Sequence, residues 1–418
     1  MRPAGRMSDG LPATVDSPGG LPTSPRLPAA QLPMMMLKTS NEPLQLAATT
    51  RVEWVTDLER IRALERWWRP LEQGLDRRAV VPRFDYVVPW YRHYRGVGHE
   101  RYGEPLVGVA WRGGEVVGIA PLTAWRGSFG KVPLRRIDFV GFNADGGEFL
   151  IGEDPAAVAA EFVRSLCRES SFDLLCLNGI EPGSETLSAI GEVAGECGLA
   201  LGELPYRYAT VDLSRGFESY RRSMSRNFRR NIKRLEHRVR SAGEPVVERL
   251  PVGGDRGPLP AFLERMFAIA DASWKARADG PMAEHHREFY RQTLTRFAAR
   301  GEVDFAILTL GGKDAAFLAA LVDRDVYFDF TISFADEFSA VSPGIYLMLR
   351  MLELLPHDGI RRVVSHGDHE YKLRWASGWV AQRRLCLFGH GVRAALARMM
   401  KFGVEPQLDR LRGARGTS

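Results

Sequence analysis

The chain has 418 residues, 45% of them hydrophobic, with a formal net charge of +6. That length predicts two domains rather than one core, the composition is globular, and no apolar run reaches the roughly 18 residues that span a bilayer. Residues 221–240 carry nine Lys or Arg and one acid, about +8, so the rest of the chain sums to about −2. This excludes a uniformly basic nucleic-acid coat, and no DNA partner is expected. The four cysteines, Cys167, Cys176, Cys197 and Cys386, form no C-x-x-C pair and sit among apolar neighbours. Reduced, buried thiols in a cytoplasmic protein are expected.

Residues 1–45 are rich in Pro, Gly and Ser and are expected to be disordered. They lack the apolar core of a secretory signal, and Met34-Met35-Met36 offers a second start. From residue 51, VEWVTDLERIRALERWWRPLEQ has helical apolar spacing after a strand-like beginning. PLVGVAWRGGEVVGIAPLTAWR predicts a hairpin turning at Gly113-Gly114. LRRIDFVG and GEFLIG follow as strands, PAAVAAEFVRSLCRES as a helix with Pro155 in its first turn, and FDLLCLNGI as a buried strand. The second half repeats the plan. LPAFLERMFAIADASWK and HHREFYRQTLTRFAARG predict helices, and VDFAILTLGGKDAAFLAALVDRDVYFDFTISF predicts three strands. SPGIYLMLRMLELLPHDG predicts a helix and RRVVSHG a strand. WRGGEVVGIAPL and LGGKDAAFLAAL share a Gly-Gly turn, an acid one or two residues later and an apolar strand. Two related α/β halves are therefore expected at 50–213 and 244–395, with a basic helix at 214–243 between them and a helical tail at 396–418.

On one helix, Phe217, Tyr220, Met224, Phe228, Ile232, Leu235 and Val239 make a continuous apolar stripe opposite the arginines. A solvated basic face is one reading. The other is contact with an anion through Arg221–Arg240: cofactor phosphates, RNA or an anionic membrane surface.

Two segments carry candidate chemistry. A strand ending near Phe334 leads to a helix starting at Ser342-Pro343-Gly344, with Ser342 as its expected N-cap. The free N–H groups at Val341, Ser342, Gly344 and Ile345 would meet a pyrophosphate. After the strand RRVVS come His366, Asp368, His369, Glu370, Tyr371 and Lys372, where α/β folds place their sites. His366-x-x-His369 lacks a visible third ligand, so no metal is expected. His285-His286 lacks metalloprotease spacing and is expected in solvent.

Ser273-Trp274-Lys275, then Ser342-Pro343-Gly344, then Gly367 with Tyr371, Lys372 and Trp375 resemble the CelD-like (BioF-like) acetyltransferase domain. That domain belongs to the GNAT superfamily and is related to the Fem-type peptidyltransferases. Ser223 to Arg230, S-x-x-R-x-x-R-R, is similar to a segment the family carries, and the resemblance covers roughly 50–395. It implies two tandem GNAT-like halves, each a mixed, mostly antiparallel sheet flanked by helices. It also implies acetyl-CoA or another acyl-CoA as cosubstrate and a small-molecule or sugar amine as acceptor. Tyr371 would be the acid, with His366, Asp368 or Glu370 as the base. Trp274, Lys275 and Lys372 would bound the acceptor pocket. Alternatively, Tyr371-Lys372 seals the domain interface and Trp274 is a core residue. Val341-Ser342-Pro343-Gly344 replaces the usual Q/R-x-x-G-x-G/A loop, and Val363-Val364 stands where an acid is common. Two other functions stay open: aminoacyl transfer from aminoacyl-tRNA, and a noncatalytic module in polysaccharide or envelope synthesis.

Overall fold

The structure, a computed structural model, describes residues 49–75, 79–95, 103–141, 147–276, 280, 282–365, 372 and 375–408. In chain order, β1 (Arg51–Val55) leads through α1 (Leu58–Ala63) and α2 (Glu65–Gly74) to α3 (Phe84–Tyr94). Asp57 starts α1 by accepting the Arg60 N–H at 2.9 Å. β2 (Glu104–Arg112) and β3 (Glu115–Phe129) form the expected hairpin, with Gly113 and Gly114 at φ 59° and 91°, the left-handed region a two-residue turn needs. β4 (Val132–Phe139), β5 (Leu150–Ile151), α4 (Pro155–Glu169), β6 (Leu174–Ile180), α5 (Glu185–Glu196) and β7 (Ala200–Asp212) complete the first half.

The basic segment is two helices, α6 (Phe217–Ser223) and α7 (Arg226–Ala242), not the single helix its stripe predicted. Ser225 breaks it, accepting the Phe228 N–H at 3.1 Å as the cap of α7. The stripe still faces inward: Tyr220, Leu235 and Val239 are buried, and Phe217, Met224, Phe228 and Ile232 pack beside them. Then come β8 (Pro245–Leu250), α8 (Leu259–Asp271), α9 (Arg287–Ala299), β9 (Val303–Leu310), β10 (Lys313–Asp323), β11 (Val326–Phe334), α10 (Pro343–Leu354), β12 (Arg362–Ser365), β13 (Gly378–Phe388) and α11 (Val392–Arg398).

Among the described residues, thirteen strands form one sheet in the order β1-β2-β3-β4-β6-β13-β7-β12-β11-β10-β9-β8, with β5 beside β3. This is the expected mixed, mostly antiparallel α/β architecture. Each half contains one parallel pair. Arg136, Ile137 and Asp138 of β4 match Leu174, Leu175 and Cys176 of β6; Val326, Tyr327 and Phe328 of β11 match Arg362, Val363 and Val364 of β12. β13 lies between β6 and β7, so a strand from the end of the chain closes the first half and β7 closes the second.

Helices α4 and α5 bury one face of the first half, while α7 and α10 cover the second. On the other face, α1–α3 and α8–α9 share one core. Within it the buried Asp85 carboxylate receives Arg69 at 2.7 Å and Arg296 at 3.1 Å, tying α3 to α9. Burial alone would raise the Asp85 pKa, but the two guanidiniums overcome it and hold the group below its ordinary value. His286 is buried, its Nδ1 2.7 Å from the Tyr94 hydroxyl, contrary to the solvated position expected of it. Apolar packing of α9 on α3 carries it inside. All four cysteines are free; Cys176 and Cys386 are buried, whereas Cys167 and Cys197 are only half-buried.

Candidate functional site

Among the described residues the sheet opens between β11 and β12: their pairing covers three residues, and β11 then runs on from Asp329 to Phe334. A cavity of about 340 Å³ occupies this split. Its walls are Trp274 and Lys275, the β11 residues Asp329, Ile332, Ser333 and Phe334, the α10 start at Ser342, Gly344, Ile345 and Met348, and Trp375.

The α10 end is built from Ser342-Pro343-Gly344. Ser342 does not cap with its side chain, as had been expected. Its backbone is left-handed at φ 55°, a costly conformation for a residue with a Cβ, and its side chain is left to the cavity. The Ile345 and Tyr346 N–H groups return to the Ser342 carbonyl at 3.2 and 3.3 Å. Among the described residues the Gly344 N–H has no acceptor, and a Cβ at Gly344 would meet nothing nearer than 3.6 Å. One donor without an acceptor therefore lies at the positive end of a twelve-residue helix. The first half has a counterpart: α4 begins at Asp154-Pro155 with Asp154 at φ 52° and no side-chain cap. There the leading residue is an acid, which repels phosphate. The second half carries the neutral serine and the glycine at the same place.

Lys275 enters the cavity from the short helical turn after α8, and its Nζ donates to the Ile332 carbonyl. Burial pulls its ammonium below the ordinary lysine pKa, against the opposing charge of Asp329. Asp329 accepts the Ser365 hydroxyl at 2.7 Å, which fixes the carboxylate at the end of β12. An acid thus stands on the strand that pairs with Val363-Val364. Ser333 and Ser273 hydroxyls lie 3.1 Å apart behind Lys275, and the Ser273 oxygen accepts the Lys275 N–H at 3.1 Å. Trp274 is 49% exposed, so it is a rim residue and not part of the core. Trp375 is buried, and its carbonyl accepts the Tyr220 hydroxyl at 2.6 Å, joining the basic segment to the cavity wall.

Of the residues singled out in the sequence, Trp274, Lys275, Ser342, Gly344 and Ile345 meet in one cavity. Val341 and Lys372 are not among its walls; Lys372 is buried. His366, Asp368, His369, Glu370 and Tyr371 lie outside the described residues. Of the described residues on either side of that segment, Trp375 lines the cavity and Ser365 bonds to its wall residue Asp329. Sequence reasoning missed Asp329, Ser333 and Ser339. The polar Asp329 within the apolar run VYFDF was the available signal. Among the described residues no three His, Cys, Asp or Glu gather as metal ligands, and no helix is long and apolar enough to cross a membrane.

On the far side of α10, a groove of about 640 Å³ runs along α6 and α7. Arg221, Arg226, Arg229, Arg230, Lys233 and Arg350 line it, with Glu218, Glu236 and Glu353. Arg221 is paired with Glu218, and Arg229 donates to the carbonyls of Arg222 and Met224 at 2.9 and 2.7 Å. Arg226, Arg230 and Lys233 make no ion pair among the described residues. The apolar side of α7 is spent on the core, so its exposed side is wholly polar.

Residues 226–373 match the family described as an acetyltransferase (GNAT) domain. The fold is similar to that of FemX, with 10% identity and a TM-score of 0.51 over 84% of this chain and 100% of that one. It is also similar to the carboxyl-terminal DUF2156 domain of a protein named as a lysylphosphatidylglycerol synthetase from Agrobacterium fabrum. There the identity is 14% and the TM-score 0.50, over 81% of this chain and 95% of that one. At these identities the likeness is one of fold. No curated protein matches the sequence.

Proposed function

We propose that this chain, an acyltransferase of the GNAT superfamily, moves an acyl group from acetyl-CoA or another acyl-CoA to an amine of a small molecule or sugar precursor. The observation that carries this reading is the meeting of the free Gly344 N–H, Lys275 and Asp329 around one cavity at the strand split. Gly344 and Ser342 would hold the pyrophosphate of the donor, and Met348, Ile345 and Trp375 give its chain an apolar, dry channel. When bound, the donor supplies an electrophilic thioester carbonyl. Asp329 would take the proton from the acceptor ammonium, with Ser365 holding the carboxylate in place. Lys275 offers its remaining N–H donors to negative charge developing beside Ile332. Trp274 would wall the acceptor side. Tyr371 stays the proposed proton source for the leaving thiolate, with His366, Asp368 and Glu370 as alternative bases, on the family resemblance alone.

A panel of CoA thioesters in a thermal-shift assay tests the donor, since a ligand at 100 times its Kd adds about 2.7 kcal/mol of stability. Acetyl-CoA should raise the melting temperature, and free thiol should be released when amines are added. If no thioester shifts the melting temperature, the donor assignment is lost.

The basic groove favours one second reading, aminoacyl transfer from aminoacyl-tRNA. Arg226, Arg230 and Lys233 would contact phosphates, and binding would fall steeply with salt. Binding of tRNA that is absent, or indifferent to salt, removes it.

A further inference from the structure

The carboxyl-terminal helix bears an apolar ridge that the described residues leave uncovered. α11 and the π-helical turn that continues it (Met399–Val404) expose Val392 (86%), Leu396 (43%) and Met399 (55%), at steps of four and three along one side. The opposite side, Ala394, Ala397, Met400 and Phe402, packs on a small core that includes Phe129 and Phe388. Among the described residues the other large apolar side chains this exposed are Leu201, Val246, Trp274 and Leu408. Single exposed aliphatics are ordinary; three in line on one helix are not.

Cations surround this ridge. Arg393 and Arg398 are on the helix itself, and Arg126, Lys131 and Arg135 are on the β3–β4 hairpin. The hairpin turn abuts the helix: a Cβ at Gly130 would lie 3.0 Å from the Ala397 carbonyl oxygen. Between hairpin and helix start runs a groove of about 710 Å³, whose walls include Arg126, Arg135, Asp173, Val392 and Arg393. Its acid is already engaged, since Asp173 accepts the Arg135 backbone N–H at 2.8 Å and its guanidinium at 3.2 Å. Arg126, Lys131, Arg393 and Arg398 make no ion pair among the described residues.

We propose that this face docks the protein on an anionic phospholipid surface. The convex aliphatic ridge enters the boundary between headgroups and acyl chains, while the ring of cations stays at the level of the lipid phosphates. The groove beside Val392 takes a headgroup phosphate. A second copy of the chain is a poorer occupant, because a two-fold contact through this ridge would bring like-charged arginines together. RNA is poorer too, since the ridge has no aromatic ring on which a base could stack. The surface is distinct from α7, whose apolar side is already buried.

Vesicle flotation with the full chain tests this. Vesicles of phosphatidylcholine with about one third phosphatidylglycerol should carry the protein, and pure phosphatidylcholine should bind at least tenfold less. The combined variant Val392→Ser, Leu396→Ser, Met399→Ser should lose at least tenfold in binding with an unchanged melting temperature, because the three side chains face water. Arg126→Ser with Arg393→Ser should weaken binding and flatten its salt dependence. Arg226→Ser with Arg230→Ser on α7 should leave it unchanged. Any of these results overturns the proposal: wild-type protein that does not float with the anionic vesicles, a serine variant that binds as wild type, or loss of binding confined to the α7 variant. Light scattering that shows a dimer dissolved by the serine substitutions also overturns it, in favour of a second copy.

Discussion

Two side chains decide whether the cavity is chemical or merely structural, and they respond to substitution in opposite ways. Asp329 is held by Ser365 with its carboxylate facing the cavity. Asp329→Asn keeps the shape and removes the proton acceptor, so kcat should fall by about 10²–10⁴-fold with little change in KM. Steady-state acyl transfer on the best amine measures it; unaltered kcat would transfer the base role elsewhere. Lys275 differs, because burial lowers its pKa and the folded protein holds that proton less tightly than the unfolded chain. The cost of burying the charge is full below the folded value and is relieved as pH rises from there toward the unfolded value of 10.5. Lys275→Met should therefore stabilise the protein at about pH 6, with the gain shrinking toward about pH 10. Its activity should drop, as expected where a strained site is exchanged for stability. Urea unfolding of both proteins across pH checks the sign; a gain that grows with pH contradicts it.

Among the elements, α7 and α10 owe their starting points to single residues. Ser225 caps α7, and Ser225→Ala should cost about 1 kcal/mol in urea unfolding. Gly344 is the opposite case: a Cβ there finds ordinary contacts, so Gly344→Ala should be neutral or add up to about 1 kcal/mol. Gly344→Trp fills the cavity instead, and the thermal shift produced by acetyl-CoA should vanish while the protein remains folded. What the sequence revealed divides along the same line. The Gly-Gly hairpins and the proline-started helices are local, and local residues specify them. The break at Met224-Ser225 was concealed because α6 and α7 keep one shared apolar stripe across it. Lys275 and Ile332 are 57 positions apart, and their contact depends on where β11 emerges from its pairing with β12. Asp329 joins the site only because β12 stops at Ser365 beside it. Neither fact is written in a window of neighbouring residues. The left-handed starts at Asp154 and Ser342 are a repeat that became visible only in backbone angles.

At the scale of the molecule, the exchange of strands makes the two halves depend on each other. β13 pairs with β6 through six registered positions and with β7 through eleven, and β7 in turn pairs with β12. Without β13 the first half would end at β6, paired with β4 on one side and open on the other. The sheet would be cut in two, with apolar strand edges exposed to other chains. Leu385, Cys386, Leu387 and Phe388 would also leave two cores at once, since the strand's alternate residues serve opposite faces. The shared core of α1–α3 with α8–α9, and the Asp85 bridge from α3 to α9, couple the halves again on the other face. Unfolding should therefore be a single transition, with calorimetric and van't Hoff enthalpies in agreement. A chain ending at Ala376 should aggregate or stay unfolded. A chain ending at Gly389 keeps β13 and loses only the α11 cover over Phe129 and Phe388, so it should fold with a lower melting temperature. A soluble, cooperatively melting protein ending at Ala376 would show that each half closes its own sheet, and the inserted strand would then be an addition to two finished domains.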